Sequence, residues 1–185
     1  MRSEIKNLFV LHLQMIIENP SSARYLTRPK YKNMVEILFA HLIRWYPQIS
    51  FEGRDTYALG IEEKIEHHEI SKDALRVLRE AMLNGKNKKS MKKLLHYEHN
   101  VPVDMVKRRL IELIRAGRAD FEEIRRLMDS SYEVILISKA EESMIKRMGF
   151  TKTGTFDERM NAAGIRLCDS NLKMQILSEL KAYNH

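Results

Sequence analysis

Apolar side chains recur every three or four residues along most of this 185-residue chain, which places them on single faces of α-helices. One run, Val134–Ile137, is instead short, continuous and rich in β-branched residues, which favours a buried strand. Seven glycines and four prolines leave few interruptions in the helical periodicity. The pattern therefore predicts a mainly α protein with minor β content, an α+β fold of about seven helices and two to four short strands.

Two interruptions of the helical pattern bear on domain organisation. Residues 48–60 alternate apolar and polar side chains in part, which predicts a short strand or a loop. The lysine-rich run 86–93 follows Asn84-Gly85, a typical helix terminator, and predicts a solvated linker. We therefore expect a helical part over residues 1–85 and a basic α+β part over residues 86–185, with one undivided domain 1–185 as the alternative.

Cysteine content and hydropathy indicate the cellular compartment in which the protein is expected. Cys168 is the only cysteine, which excludes an internal disulfide framework and fits a reducing environment. No stretch of the sequence approaches the roughly 18 apolar residues that a membrane span needs. The sequence predicts a cytoplasmic protein without membrane contact, and it leaves the oligomeric state open.

Positive charge is concentrated in the middle of the chain. The net charge is +7, and residues 86–126 alone contain 12 Lys and Arg against six Asp and Glu. Such a segment attracts polyanions, so nucleic acid is the leading partner class and an acidic protein surface the second. The residues expected to bind nucleic acid are Lys86, Lys88, Lys89, Lys92, Lys93, Lys107, Arg108, Arg109 and Arg115. Tyr97 lies beside them in sequence and either stacks on a base or packs against a neighbouring helix.

Residues 97–102, Tyr-Glu-His-Asn-Val-Pro, place a carboxylate beside a histidine just before a predicted helix. Phosphodiester cleavage needs a metal to neutralise developing charge and a base that titrates near neutral pH, which histidine supplies. The run resembles the first motif of the HNH endonucleases, the ββα-metal family. This resemblance covers at most residues 91–150. It implies a divalent metal ion, Mg²⁺ or Mn²⁺, with Glu98 as a ligand and His99 as the general base.

The resemblance also implies a second half, in which a strand is followed by a helix that carries another metal ligand. Val134–Ser138 and the helix after it match this order, so Glu141 or Glu142 would be the distal ligand. Ser138 and Glu141 also have the spacing of a capping box, which gives Glu141 a structural role. The alternative for residues 98 and 99 is structural too: hydrogen bonds at a strand-to-helix junction, with Pro102 starting the helix.

The sequence thus predicts a protein that interacts with nucleic acid, in its sharper form a divergent HNH-like, metal-dependent nuclease. The competing hypothesis is a non-catalytic binding protein, for instance a regulator or inhibitor of a nucleic-acid machine of the kind that phages and mobile elements encode. A small-molecule enzyme is the third hypothesis, and no cofactor fingerprint supports it. Whether the protein is an enzyme stays open at this stage.

Overall fold

Ten helices and three strands occupy residues 2–19, 34–46, 59–130, 134–150 and 154–183, which are the residues that the computed structural model describes. The helices are α1 (Arg2–Glu18), α2 (Met34–Trp45), α3 (Ile61–His67), α4 (Lys72–Leu83), α5 (Lys88–Lys92), α6 (Val103–Arg115), α7 (Phe121–Ser130), α8 (Lys139–Arg147), α9 (Phe156–Ala162) and α10 (Ser170–Ala182). The strands are β1 (Glu69–Ile70), β2 (Leu95–His99) and β3 (Val134–Ser138).

The predicted class, mainly α with minor β, is confirmed, whereas the predicted number of about seven helices is wrong for the described residues. Two of the helices that the prediction leaves out, α3 and α5, have only seven and five residues. Helices this short complete one to two turns, so they carry too little periodicity to be recognised. The strand or loop predicted at residues 48–60 lies almost wholly outside the described residues.

The described residues form two compact units, and each unit is built from two stretches of chain. Residues 1–56 and 101–133 make the first unit, which contains α1, α2, α6 and α7. Residues 57–100 and 134–185 make the second unit, which contains the sheet and the other six helices. This division does not coincide with the boundary expected at residue 86, because the lysine run lies inside the second unit.

The described residues of the first unit form four helices that pack around one apolar core. On α6, Val106 and Leu110 are fully buried one turn apart, as the periodicity predicts. They pack in one cluster with Ile124 and Met128 of α7 and with apolar residues of α1 and α2. Even α1, the longest helix with 17 residues, is not apolar enough to cross a membrane, and neither is any other helix in the described ranges.

The second unit is organised around a three-stranded sheet of order β1-β3-β2, in which β1 is parallel and β2 antiparallel to β3. All five residues of β3 are buried, as expected for a central strand covered on both faces. Val134 and Leu136 join the core cluster on one face, and Ile135 and Ile137 join the cluster on the other. The strongest predicted strand therefore lies at the centre of this unit.

The lysine run is not the solvated linker that the sequence predicts, and the reason is local. The Lys86 amide donates to the Ala81 carbonyl (2.9 Å), which ties the run to the end of α4. The Asn87 side chain then caps α5 by accepting from the Ser90 amide (2.8 Å). Met91 is 0% exposed in the core of the second unit, a burial that contributes about 2 kcal/mol. One capping residue and one apolar anchor are enough to convert a charged run into a fixed helical turn.

Candidate nucleic-acid interface

Helix α5 presents lysines to solvent because its single buried side chain holds the opposite face against the core. Lys89 and Lys93 precede and follow Met91 by two residues, which places both about 200° around the helix from that anchor. Both are exposed, as is Lys86 just before the helix, while Lys92 is half-buried. We call Lys86, Lys89, Lys92 and Lys93 the lysine surface.

The charges of the lysine surface are not neutralised by any carboxylate of the described residues. Its sequence neighbour Lys88 differs, because its ammonium pairs with Glu62 at 2.7 Å. Several other exposed cations of the second unit are also paired: Arg76 with Asp73 at 2.6 Å, and Lys181 with Glu66 at 2.7 Å. The lysine surface therefore holds four adjacent cations that lack a carboxylate partner in the part of the chain that the structure describes.

A backbone contact brings further cations next to the lysine surface. The Lys139 amide, at the first turn of α8, donates to the carbonyl of Leu94 at 3.0 Å. Lys93 and Lys139 are thus neighbours in space although 46 positions separate them in sequence. Lys146 follows two turns later on the same helix. The carboxylate of Glu142 lies between these two lysines, 2.8 Å from Lys139 and 2.6 Å from Lys146.

The other four predicted nucleic-acid-binding residues lie on α6, in the first unit. Arg108 and Arg109 are exposed, and neither pairs with a carboxylate in the described ranges. Lys107 is half-buried and Arg115 exposed, and both make contacts of their own. The predicted set of nine residues is thus divided between the two units, five on residues 86–93 and four on α6.

Glu98 and His99 face opposite sides of the sheet, because successive side chains of a strand alternate. Glu98 pairs across the strands with Ile135, whose side chain joins the core cluster beneath α8 and α9. His99 pairs with Val134, whose side chain joins the cluster on the other face. The carboxylate and imidazole that are adjacent in sequence therefore do not converge on one point.

The imidazole that does lie beside Glu98 is that of His96, two residues earlier on the same face of β2. Its Nε2 is 3.8 Å from the Glu98 carboxylate, and its Nδ1 is 3.3 Å from that of Glu142. Lys139 Nζ lies 3.5 Å from the same Nδ1. Together with Lys146 and with Arg159 of α9, these residues form what we call the polar cluster.

Arg159 is the anchor of the polar cluster. Its side chain is 1% exposed, and its guanidinium forms an ion pair with Glu98. The same guanidinium donates to the carbonyls of His99 and Asn100, the latter at 2.7 Å. These bonds satisfy carbonyls at the point where β2 ends, so Arg159 fixes the end of the strand as well as neutralising a half-buried carboxylate.

Burial and neighbouring charges perturb the titration of this cluster. Burial, reinforced by Lys139 and Lys146, lowers the pKa of His96 from 6.5 to about 4, although Glu142 opposes the shift. Burial also raises the pKa of Glu98, against the attraction of Arg159. For Glu142, burial acts upward, but hydrogen bonds from Lys139 and Lys146 outweigh it and lower the pKa to about 2.

The net charge of the polar cluster follows from these shifts. His96 is neutral near pH 7, since its pKa is about 4. Lys139, Lys146 and Arg159 then supply three positive charges against the two carboxylates, which leaves an excess of one positive charge. A site of this composition attracts an anion more readily than a divalent cation.

Glu141, one of the two predicted distal ligands, serves the local structure instead. Its carboxylate accepts from Ser71 Oγ at 2.6 Å and from the Ser138 amide at 2.8 Å, and Ser138 Oγ accepts from the Glu141 amide at 3.1 Å. The last two bonds are the capping box that the sequence predicts at the start of α8. The bond to Ser71, the residue that caps α4, links the starts of two helices.

The three carboxylates predicted as metal ligands do not fit the divalent metal ion that the resemblance implies, because each already has partners within the protein. The Glu98 carboxylate is paired with Arg159, and the Glu142 carboxylate is paired with two lysines. The Glu141 carboxylate accepts the hydrogen bond of the capping box. No three His, Cys, Asp or Glu side chains in the described residues are arranged to hold a metal ion. A divalent ion would have to displace fixed cations from both carboxylates of the polar cluster.

Sequence reasoning missed the two residues that give the polar cluster its geometry. The two-residue period of a strand points to His96 once Leu95–His99 is taken as β2. Arg159 has no local signal, because it lies 61 positions from Glu98. Comparison with known proteins adds nothing to these assignments: no protein-family model matches the chain, and neither a curated protein nor a solved structure matches it.

Proposed function

We propose that this protein binds nucleic acid and that the lysine surface of the second unit makes the contact. The observation that carries the proposal is the set of four adjacent lysines at residues 86–93 without a carboxylate partner in the described residues. Nucleic acid carries a condensed layer of cations, and exposed lysines without a carboxylate partner release those cations when they neutralise its phosphates. Cations that already pair with carboxylates contribute much less, since the pair must first be broken.

The fixed backbone of the lysine surface favours binding as well. Met91 and the Asn87 cap hold the helical turn in place before any ligand arrives. Less conformational entropy is then lost on association than from a disordered lysine tail. Arg108 and Arg109 would provide the same kind of contact on the first unit. A single cysteine as a free thiol agrees with binding in the reducing cytoplasm.

Within this proposal the polar cluster holds the end of β2 and the start of α8 and does not cut the ligand. What supports this assignment is that Glu98, Glu141 and Glu142 are all engaged by donors of the protein itself. The metal-dependent nuclease, with His99 as general base, stays a prediction of the sequence. It is tested by adding Mg²⁺ or Mn²⁺ to the protein–DNA mixtures of the binding experiment described next and measuring cleavage of the DNA.

The test of binding compares two double variants of the full chain that remove the same charge. Lys89→Gln with Lys93→Gln removes two exposed lysines without a carboxylate partner in the described residues, and Arg76→Gln with Lys181→Gln removes two exposed cations that are paired. Fluorescence anisotropy with a labelled 20-base-pair DNA is measured at several salt concentrations. We expect the first variant to bind roughly tenfold more weakly near 0.15 M salt, with a salt slope smaller by about two. The second variant should stay within about twofold of the parent.

Three outcomes would contradict this function. Equal losses in the two double variants would mean that net charge alone, and not the lysine surface, attracts DNA. Absence of any salt-dependent binding to DNA or RNA, together with co-purification of an acidic polypeptide, would favour the protein-partner hypothesis. Cleavage with Mg²⁺ or Mn²⁺ that His99→Ala abolishes, at unchanged thermal stability, would restore the nuclease.

A further inference from the structure

The lysine surface is better suited to phosphates than to base edges. Lysine can donate to guanine, whereas Arg, Asn and Gln present paired donors and acceptors that match particular bases. Residues 86–93 contain only one of these types, Asn87, and its side-chain oxygen already accepts the Ser90 amide at 2.8 Å. A lysine ammonium is a point charge that fits any phosphate. The contacts that this surface favours are therefore contacts to the nucleic-acid backbone, to which half to two-thirds of protein–DNA hydrogen bonds go.

Within the described residues, the second unit has no exposed Phe, Tyr or Trp on which unpaired bases could stack. Tyr97, which the sequence offers for this role, is 4% exposed and packs in the core. Its ring meets the edge of His68 at 5.1 Å and the ammonium of Lys64 at 4.7 Å. Phe150, Phe156 and Tyr183, the other aromatic residues in the described part of this unit, pack against its core clusters, and none is exposed. Proteins that prefer single strands depend on such stacking.

A surface that contacts mainly phosphates gains most from the ligand with the highest density of phosphates. A duplex carries one charge per about 1.7 Å of its axis, twice the density of either strand taken separately. Lys89, Lys92 and Lys93 lie at spacings of three and four residues on one helical turn, which holds their backbones within about 6 Å of one another. Three cations this close can reach phosphates on both sides of a duplex groove, where two strands approach each other.

We infer that the lysine surface binds the phosphates of double-stranded nucleic acid, that it does so without regard to base sequence, and that it binds single strands more weakly. This inference rests on the proposed function, because it specifies the form of the ligand for the same lysines. The chemistry recognised is a duplex phosphate backbone, which DNA and RNA share. Lys139 adjoins the surface through the bond to Leu94, but its ammonium is paired with Glu142 at 2.8 Å.

The experiment uses the full chain and six labelled ligands of equal length in a fluorescence anisotropy titration near 0.15 M salt. These are two DNA duplexes of unrelated sequence, one RNA duplex, and one component strand of each. We expect the two DNA duplexes to agree within about threefold, and each single strand to bind at least about fivefold more weakly than its duplex. The RNA duplex separates a preference for DNA from recognition of any duplex.

Each result bears on one claim or the other. A difference of more than about tenfold between the two DNA duplexes would overturn sequence-independent binding. Single strands that bind as tightly as duplexes would overturn the duplex preference while leaving the proposed function intact. Failure of all six ligands to bind in a salt-dependent way would instead remove the proposed function, and the inference with it. Loss of duplex binding in the Lys89→Gln, Lys93→Gln variant ties the preference to this surface.

Discussion

The polar cluster and the lysine surface lie next to each other in the second unit, and both are rich in charge, yet their charges serve different ends. In the polar cluster, Arg159 and Glu98 are paired, and Arg159 is 1% exposed. On the lysine surface, Lys89 and Lys93 are exposed and have no carboxylate partner in the described ranges. The charges of the polar cluster interact with one another inside the protein, whereas those of the lysine surface are available to a ligand.

This difference teaches that charge counts in a sequence do not reveal which charges are available. Lys88 and Lys89 are adjacent and chemically identical, but within the described ranges Lys88 alone of the two has an acidic partner, Glu62, at 2.7 Å. Coulombic attraction within the fold is set by distances that the linear order does not contain. The predictions that follow test whether the polar cluster is structural and whether the lysine surface is free to bind.

The largest effect is expected from Arg159→Met. This change leaves Glu98 half-buried without its cation and the carbonyls of His99 and Asn100 without a donor. We expect a loss of about 3 to 5 kcal/mol in the free energy of unfolding, measured by urea denaturation. The matched control is Arg166→Met, which removes an exposed arginine that forms no ion pair in the described residues and should cost less than about 0.5 kcal/mol.

A second variant separates loss of the ion pair from a general loss of packing. Glu98→Gln added to Arg159→Met removes the uncompensated charge, so the double variant should recover about 1 to 2 kcal/mol. If Arg159→Met costs no more than Arg166→Met, the polar cluster is not structural. The polar cluster would then not differ from the lysine surface in this respect, and a role for its residues in binding a ligand would be the better hypothesis.

The second-largest effect is the contribution of His96 to the pH dependence of the free energy of unfolding. The unfolded chain protonates this histidine near pH 6.5, whereas the folded protein does so only near pH 4 because burial lowers the pKa. The folded state thus binds fewer protons in this window, so the free energy of unfolding falls as the pH falls from 6.5 to 4. We expect His96 to account for about 2 kcal/mol of this fall, given its partial exposure.

The measurement is the difference in the free energy of unfolding between the parent and His96→Gln across this range. His67→Gln, at an exposed histidine outside the polar cluster, is the control variant. The raised pKa of Glu98 acts in the opposite direction above pH 4.5 in both proteins, so the difference isolates His96. Parallel curves for the parent and His96→Gln would show that His96 is as solvated as a surface residue.

The smallest effect concerns the border between the two regions. Glu142 pairs with Lys139, which adjoins the lysine surface, and with Lys146. Glu142→Gln should release both lysines for phosphate contacts and tighten duplex binding roughly threefold to tenfold near 0.15 M salt. Glu179→Gln removes the same charge from a pair with Arg79 and should change affinity less than twofold. Equal gains in both variants would mean that Glu142 does not restrain the neighbouring lysines.

Local signals in the sequence predict much of the fold of the second unit. Val134–Ile137 predicts the central strand, and Ser138 with Glu141 predicts the capping box of α8, because both depend on residues a few positions apart. The candidate site is predicted less well. Glu98 is identified from its neighbour His99, but the strand separates the two on opposite faces. Its actual partner, Arg159, could not be found from spacing alone.

The sequence by itself determined the mainly helical class, the position of β3 and an excess of cations between residues 86 and 126. These properties follow from periodicity, β-branching and composition, which depend only on residues close together in the sequence. Only the tertiary structure decided which cations are paired and that His96, not His99, lies beside Glu98. The reason is that pairing depends on distances across the sheet and between helices, which arise when β2 and β3 meet with α8 and α9 packed against them.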